Sequence, residues 1–298
     1  MTNEREARAH LTAIVSPGDL DLAALIEAIG AEAALEWLRL GEPTLALAPS
    51  PTGKPWEALH ERYRRAVDLI PDMEGEFAEG SSEGAQVLIP GDSQWPAGLD
   101  DLEAPPVALW AAGPMHTGQT VCIEGSRAAT RYGVEVAEWI GEHLATQGVH
   151  MITSGAYGIS AAAIRGALKA SPYDCRVTVV LAGGVARPYP SGNTQLLQDL
   201  RAAGGTIISE VNPTRNPARW LSLERNRVLA AMTDQVVIVE AGIRSGAMAL
   251  ANQADALGKP IWAVPGQITS AVAAGTNGLI ADGYARLLNQ VEALTDTL

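Results

Sequence analysis

Four short turns carry the residues best suited to chemistry: Gly125-Ser126-Arg127, Ser154-Gly155, Gly183-Gly184 and Ser245-Gly246. Small residues at such positions let backbone N–H groups approach an anion, and a helix that starts there adds a favourable partial positive charge. A single turn of this kind says little, because tight turns need glycine anyway. All four fall at strand ends, and ligands of open α/β sheets sit beyond the carboxyl ends of the strands. Together they point to a phosphate-binding site.

A second constellation is Arg225-Asn226-Arg227, which follows a loop carrying Arg215 and Arg219 and opens the apolar segment Val228-Leu-Ala-Ala-Met. Paired guanidinium groups flanking an amide are what gripping a phosphodiester requires. Charges just ahead of an apolar helix also serve as a cap or a solvated face. Arg127 and Arg131 extend the same basic set. Tyr157, Tyr189 and Trp220 lie in predicted loops, where they stack on bases or simply pack. Aromatic residues are only 5% of the chain, so any stacking platform is small.

Residues for catalysis or metal binding are poorly arranged. The five histidines, His10, His60, His116, His143 and His150, show no paired spacing, and no Ser or Cys comes with a local base. Glu240 ends a predicted strand with no carboxylate partner in sequence. It reads, with Glu210, as a group that caps or orients a loop. The expectation is a binding site with no catalytic residue, no metal and no cofactor.

The elements that position these turns alternate from residue 118 onward. Val121-Cys-Ile leads to a helix over about 132–147, Val149-His-Met-Ile to one over about 159–170, and Val177-Thr-Val-Val-Leu to Gly183. Thr206-Ile-Ile, Gln235-Val-Val-Ile-Val and Pro260-Ile-Trp-Ala-Val continue the series, with a helix near 245–257. Continuous β-branched runs separated by helices predict an α/β fold, a parallel sheet covered on both faces. Residues 5–70 have apolar residues at helical spacing, punctuated by Ser16-Pro-Gly-Asp and Gly41-Glu-Pro. The expected organisation is an acidic helical domain over 1–73, a linker over 74–85 and a Rossmann-like domain over 86–298.

A formal charge of −13 looks unfavourable for a nucleic-acid partner, so its location matters. Residues 1–110 hold 20 Asp and Glu against 7 Lys and Arg, while 111–298 hold 14 of each sign. The basic residues of the second part are nearly all Arg, which suits phosphate forks better than diffuse attraction. This balance argues against a broad basic surface but does not exclude a nucleic-acid partner. Hydrophobic residues at 47% supply a sizeable core. The charged start lacks the apolar stretch of a signal peptide, no run is apolar enough for a membrane span, and Cys122 and Cys175 have no metal-ligand spacing. These features lead to the expectation of a reduced, cytoplasmic protein with no membrane attachment.

The motifs resemble those of the DprA/Smf family. Asp92-Ser-Gln-Trp-Pro-Ala-Gly-Leu-Asp-Asp-Leu with Pro105-Pro-Val-Ala-Leu-Trp is similar to the segment leading into that family's main domain. Gly125-Ser-Arg with Tyr132-Gly133, Ser154-Gly-Ala-Tyr-Gly-Ile, Tyr189-Pro190 with Asn193, and Gly205-Thr-Ile-Ile-Ser-Glu210 follow in the family's order. So do Glu224-Arg-Asn-Arg-Val-Leu, Val239-Glu-Ala with Ser245-Gly, Val264-Pro-Gly and Gly275-Thr-Asn. The resemblance covers about 86–290 and is weaker over the helical start. It implies an extended Rossmann-like fold and a non-enzymatic protein that binds and protects single-stranded DNA, loads a RecA-type recombinase and forms a homodimer. By motif it assigns DNA contacts to Gly125, Ser126, Arg127, Ser154, Gly155, Arg225, Asn226 and Arg227, with Arg215 and Arg219 as further contacts.

Three departures accompany it. Where the family has an Asp and, four residues on, a His, this chain has Ser160 and Ile164, and the small or Thr position after Ser245-Gly246 is Leu250. The chain is expected to lack the winged-helix domain that many members carry after the Rossmann-like part. The alternative reading is a nucleotide sensor or nucleotide hydrolase. Ala182-Gly-Gly-Val-Ala-Arg187 keeps only part of the Pro-Gly-Gly-x-Gly-Thr pattern of the related phosphoribohydrolases, and Ser160 removes a carboxylate from the second turn.

Overall fold

The computed structural model describes residues 3–40, 48–68 and 84–296. The expected linker at 74–85 lies outside these residues except for its last two positions. The chain groups into two compact units. One comprises residues 1–111 with the loops 183–187 and 209–216, and the other comprises 112–182, 188–208 and 217–298.

In the first unit, α1 (Glu4–Ile14), α2 (Leu20–Ile29), α3 (Ala31–Leu40) and α4 (Trp56–Asp68) surround a core that includes Leu11, Leu25, Leu38, Leu59 and Tyr63. The helix starts are written in the sequence. Asn3 and Glu6 form a reciprocal capping box on α1, and the Asp19 side chain accepts from the Leu22 N–H to start α2. Asp19 also accepts from the Tyr63 hydroxyl at 2.7 Å, tying α4 to α2. Strands β1 (Ala85–Leu88) and β2 (Leu109–Ala112) attach to α1 through polar contacts. Arg5 forks onto Asp92 at 2.6 and 2.8 Å, and Trp110 Nε1 donates to Thr12 at 3.1 Å.

The second unit contains seven parallel strands: β3 (Thr120–Glu124), β4 (His150–Thr153), β5 (Val177–Val180), β6 (Thr206–Ser209), β7 (Gln235–Ile238), β8 (Ile261–Ala263) and β9 (Arg286–Leu287). Their order is β6-β5-β4-β3-β7-β8-β9. Strands β4 to β7 are buried along their whole length, as β-branched runs covered on both faces must be. The helices are α5 (Arg131–Thr146), α6 (Ile159–Ala170), α7 (Thr194–Ala202), α8 (Arg219–Ala231), α9 (Gly246–Ala256), α10 (Ala274–Ala281) and α11 (Ala293–Asp296). Helices α5 and α6 meet backbone to backbone. A Cβ on Gly141 would lie 2.1 Å from the Ala163 carbonyl oxygen, and one on Gly166 would lie 2.0 Å from that of Glu138.

The chain runs from β3 outward to β6 and then returns to the other side of β3 as β7. That reversal opens a crevice at the carboxyl ends of β3 and β7, where open α/β sheets bind ligands.

Candidate nucleic-acid interface

A cavity of about 420 Å³ lies at this switch point. Gly125, Ser126 and Arg127 after β3, Ser154 after β4, Arg219, Arg225 and Asn226 of α8, and Ser245 with Gly246 at the start of α9 all line it. Other residues assigned from sequence do not. Gly155 is buried against Val179 and Leu197, Arg131 pairs in solvent with Glu135 at 2.7 Å, and Arg227 is buried. Gly183, Gly184 and Arg215 group with the first unit, where the Gly184 N–H donates to the Arg215 carbonyl at 2.8 Å.

The Arg225-Asn226-Arg227 run does not precede its helix but lies inside α8, and all three residues are buried. Residues two apart on a helix point to opposite sides, so Arg225 and Arg227 do not share the cavity. Arg225 donates through NH1 to the Val180 carbonyl at 2.8 Å. Burial holds its pKa below the ordinary arginine value, and the nearby Glu124 carboxylate offsets only part of that effect. Asn226 acts on structure, donating from Nδ2 to the Gly246 carbonyl at 3.0 Å and fixing the start of α9.

Two turns are locked together to form one wall. Gly158 has φ +75°, and a Cβ there would come 2.1 Å from the Ser126 carbonyl oxygen. Only glycine supplies both the conformation and the space. The Ile159 N–H then donates to Ser126 at 3.2 Å. On the facing side, Ser245 caps α9 by accepting from the Met248 N–H. The first N–H groups of a helix have no intrahelical partner, so those of Gly246 and Ala247 are open to an anion. Arg127, Arg219 and Arg244 are exposed at the cavity.

The sequence reading missed two lining residues of consequence, Arg244 and Glu124. Glu124 is the last residue of β3 and only 7% exposed. Its Oε1 accepts from the Ser154 N–H at 2.6 Å and from the Thr153 hydroxyl at 3.1 Å. Thr153 in turn lies 2.6 Å from the Ser160 hydroxyl, which is 3.3 Å from that of Ser154. The second turn therefore has a carboxylate beside it, supplied by the neighbouring strand. Its one signal in the sequence is an acid immediately before Gly125. Ile164 is buried in α6, and Leu250 lines the cavity as an apolar wall. Glu240 accepts from the Thr130 backbone N–H at 2.9 Å and from its hydroxyl, holding the residue that caps α5. Among the described residues no group of three or more His, Cys, Asp and Glu is arranged to hold a metal ion.

A parallel sheet whose strand order reverses beside glycine turns and arginines defines a Rossmann-like domain with an arginine-lined cavity at its switch point. The sequence profile of the DNA recombination-mediator protein A family matches residues 86–298, and the chain belongs to that family. It is 35% identical over 306 aligned positions to a Mycobacterium tuberculosis protein named as a putative DNA processing protein DprA, covering 97% of this chain and 74% of that one. The DNA processing protein DprA of Bacillus subtilis is 29% identical, with 72% of each chain covered. The X-ray structure of DNA processing protein A from Streptococcus pneumoniae has the same fold, with a TM-score of 0.74 at 22% identity over 99% of this chain and 97% of that one. A Helicobacter pylori DNA processing protein A, solved to describe its single-stranded DNA binding mode, gives 0.64 at 27% identity over 72% of this chain and 96% of that one.

Proposed function

We propose that the chain is a recombination mediator that binds and protects single-stranded DNA and loads a RecA-type recombinase, acting as a homodimer in the cytoplasm and performing no reaction on the strand. One observation carries the reading. In a member of this family, four arginines, Arg127, Arg219, Arg225 and Arg244, converge with the open N–H groups of α9 on one switch-point cavity. That arrangement recognises a phosphodiester through charge and hydrogen-bond donors and carries no sequence code of its own. The test is a gel shift with single- and double-stranded oligonucleotides, followed by recombinase filament assembly on coated strands. Preference for the duplex, or no binding, overturns the reading.

Glu124 favours one alternative, a nucleotide sensor or hydrolase, because a carboxylate in a phosphate cavity is able to orient a sugar or take a proton. Incubation with nucleoside mono- and triphosphates, with chromatography of the products, separates the two. Turnover abolished in Glu124→Gln would establish the enzyme. Binding without cleavage leaves the DNA reading in place.

A further inference from the structure

Residues 113–118, which join β2 to β3, are pinned to the amino ends of β4, β5 and β6. The Thr206 hydroxyl at the start of β6 donates to the Pro114 carbonyl, and Arg176, just before β5, donates to the Thr117 carbonyl. His116 hydrogen-bonds to the backbone of Gly204. Its ring centre lies 5.2 Å from that of His150, the first residue of β4, with the planes at 62°. His150 is only 3% exposed, and its Nε2 lies 2.8 Å from the Thr178 hydroxyl. One nitrogen of each ring, His116 Nε2 and His150 Nδ1, is buried with no hydrogen-bond partner.

Neutral rings tolerate that arrangement, and protonated ones do not. A proton added to either ring puts a charge and an unanswered N–H donor into a buried site. With both rings charged, each faces the other and Arg176, and Asp174 near His116 is the acid that opposes them. We propose that the pair is an acid-sensitive latch, in which uptake of two protons releases residues 113–118 from the amino ends of β4 to β6 while the parallel sheet stays folded. The direction follows from linkage. Burial first, and then nearby positive charge, hold both imidazoles below the ordinary 6.5, with His150 pushed down to about 3. The closed form therefore excludes protons that the open form takes up, and opening becomes easier as pH falls below about 6.5. Strands β5, β6 and β7 carry no ionisable side chain, so acid acts on the latch before it acts on them.

The latch does not depend on the strand-binding reading. Its test is amide hydrogen exchange on the full chain from about pH 7 to about pH 4, corrected for the intrinsic exchange rate. The reporter is the His150 N–H, which donates at 3.0 Å to the carbonyl of Gln119, the residue that follows the segment and Gly118. The control is the Val239 N–H, which donates to the Glu124 carbonyl at 3.1 Å at the far end of the sheet. At position 150 the opening constant should rise by up to about 100-fold per pH unit, the limit for two protons, while Val239 stays protected. His116→Gln and His150→Gln each leave one ionisable ring, and in each the rise should fall to about tenfold per unit. Circular dichroism at neutral pH checks that both variants fold. Protection at position 150 that is indifferent to pH overturns the inference. So does joint loss of protection at 150 and 239, which would report global unfolding, or a two-proton slope that survives in both variants.

Discussion

At the amino ends of the parallel strands several polar groups pair with one another, although His150 Nδ1 has no hydrogen-bond partner, whereas at the carboxyl ends polar groups line a cavity. Asp234, just before β7, accepts from both the backbone N–H and the hydroxyl of Thr120 at 2.8 Å. Gln235 accepts from Trp262 Nε1 and donates to the Leu294 carbonyl, each at 2.7 Å, and His150 lies 2.8 Å from the Thr178 hydroxyl. The carboxyl ends bring Glu124, Arg225 and the start of α9 to a cavity instead. The same sheet thus carries paired polar groups at one end and a polar-lined cavity at the other.

The largest effect should come from the carboxyl end, where cohesion and recognition meet in one side chain. Arg225→Ala removes the buried donor to the Val180 carbonyl together with a positive charge near Glu124, and leaving a buried polar group unpaired costs roughly 1–3 kcal/mol. Denaturant unfolding should register that loss, and single-strand binding should fall with it. A destabilisation of under about 1 kcal/mol would show that the charges at this end do not depend on one another. Next comes Gly158→Ala, which forces a Cβ against the Ser126 carbonyl in a left-handed conformation and should cost roughly 1–3 kcal/mol or more. A shift in the unfolding midpoint with a parallel drop in binding would place both turns in one wall.

The amino end is expected to answer to pH. Burial pushes the His150 pKa down to about 3 from an ordinary 6.5, with His116 and Arg176 adding to the effect. The unfolded chain therefore takes up a proton below about pH 6.5 that the folded chain refuses until near pH 3. Stability should fall as pH drops through that window. His150→Gln should flatten the decline, and an unchanged acid limb in the variant would remove His150 from the account. The smallest effect on stability belongs to Arg127→Ala and Arg244→Ala, both exposed. Each should lower affinity, with the slope of log K against log salt shallower by roughly 0.7 for every phosphate no longer neutralised. An unchanged slope in the double variant would take both residues off the phosphate path.

The sheet is legible in the sequence because its causes are local. Val177-Thr-Val-Val-Leu and Gln235-Val-Val-Ile-Val have no reading other than buried strands, and the helix expected over 159–170 has those limits in the structure. Gly125-Ser126 and Ser154-Gly155 do follow strand ends directly, whereas Ser245-Gly246 lies seven residues past β7 and starts a helix. What brings them to a common cavity is strand order, which no single turn encodes. Gly183-Gly184 therefore looks equivalent to Gly125-Ser126 although it groups with the other unit. Arg225 and Arg227 look like a pair because closeness in sequence suggests closeness in space. Their helix begins at Arg219, and a buried arginine run defeats the usual reading of charge as exposure. Glu124 escapes notice for the same kind of reason. Its partners Thr153 and Ser154 are about thirty residues away and reach it only across the β3–β4 pairing.

The backbone contact between α5 and α6 has a mechanical consequence. The turns ahead of these helices, joined at Gly158 and Ser126, rest on two rods with no side chain between them at Gly141 and Gly166. Side chains can change rotamer to absorb a displacement, but touching carbonyls and α-carbons cannot. This half of the cavity therefore behaves as a fixed jaw. Any adjustment to a bulkier occupant falls to the opposing jaw of α8 and α9, where the exposed Leu223 has room to change rotamer and where Asn226 ties the start of α9 to α8.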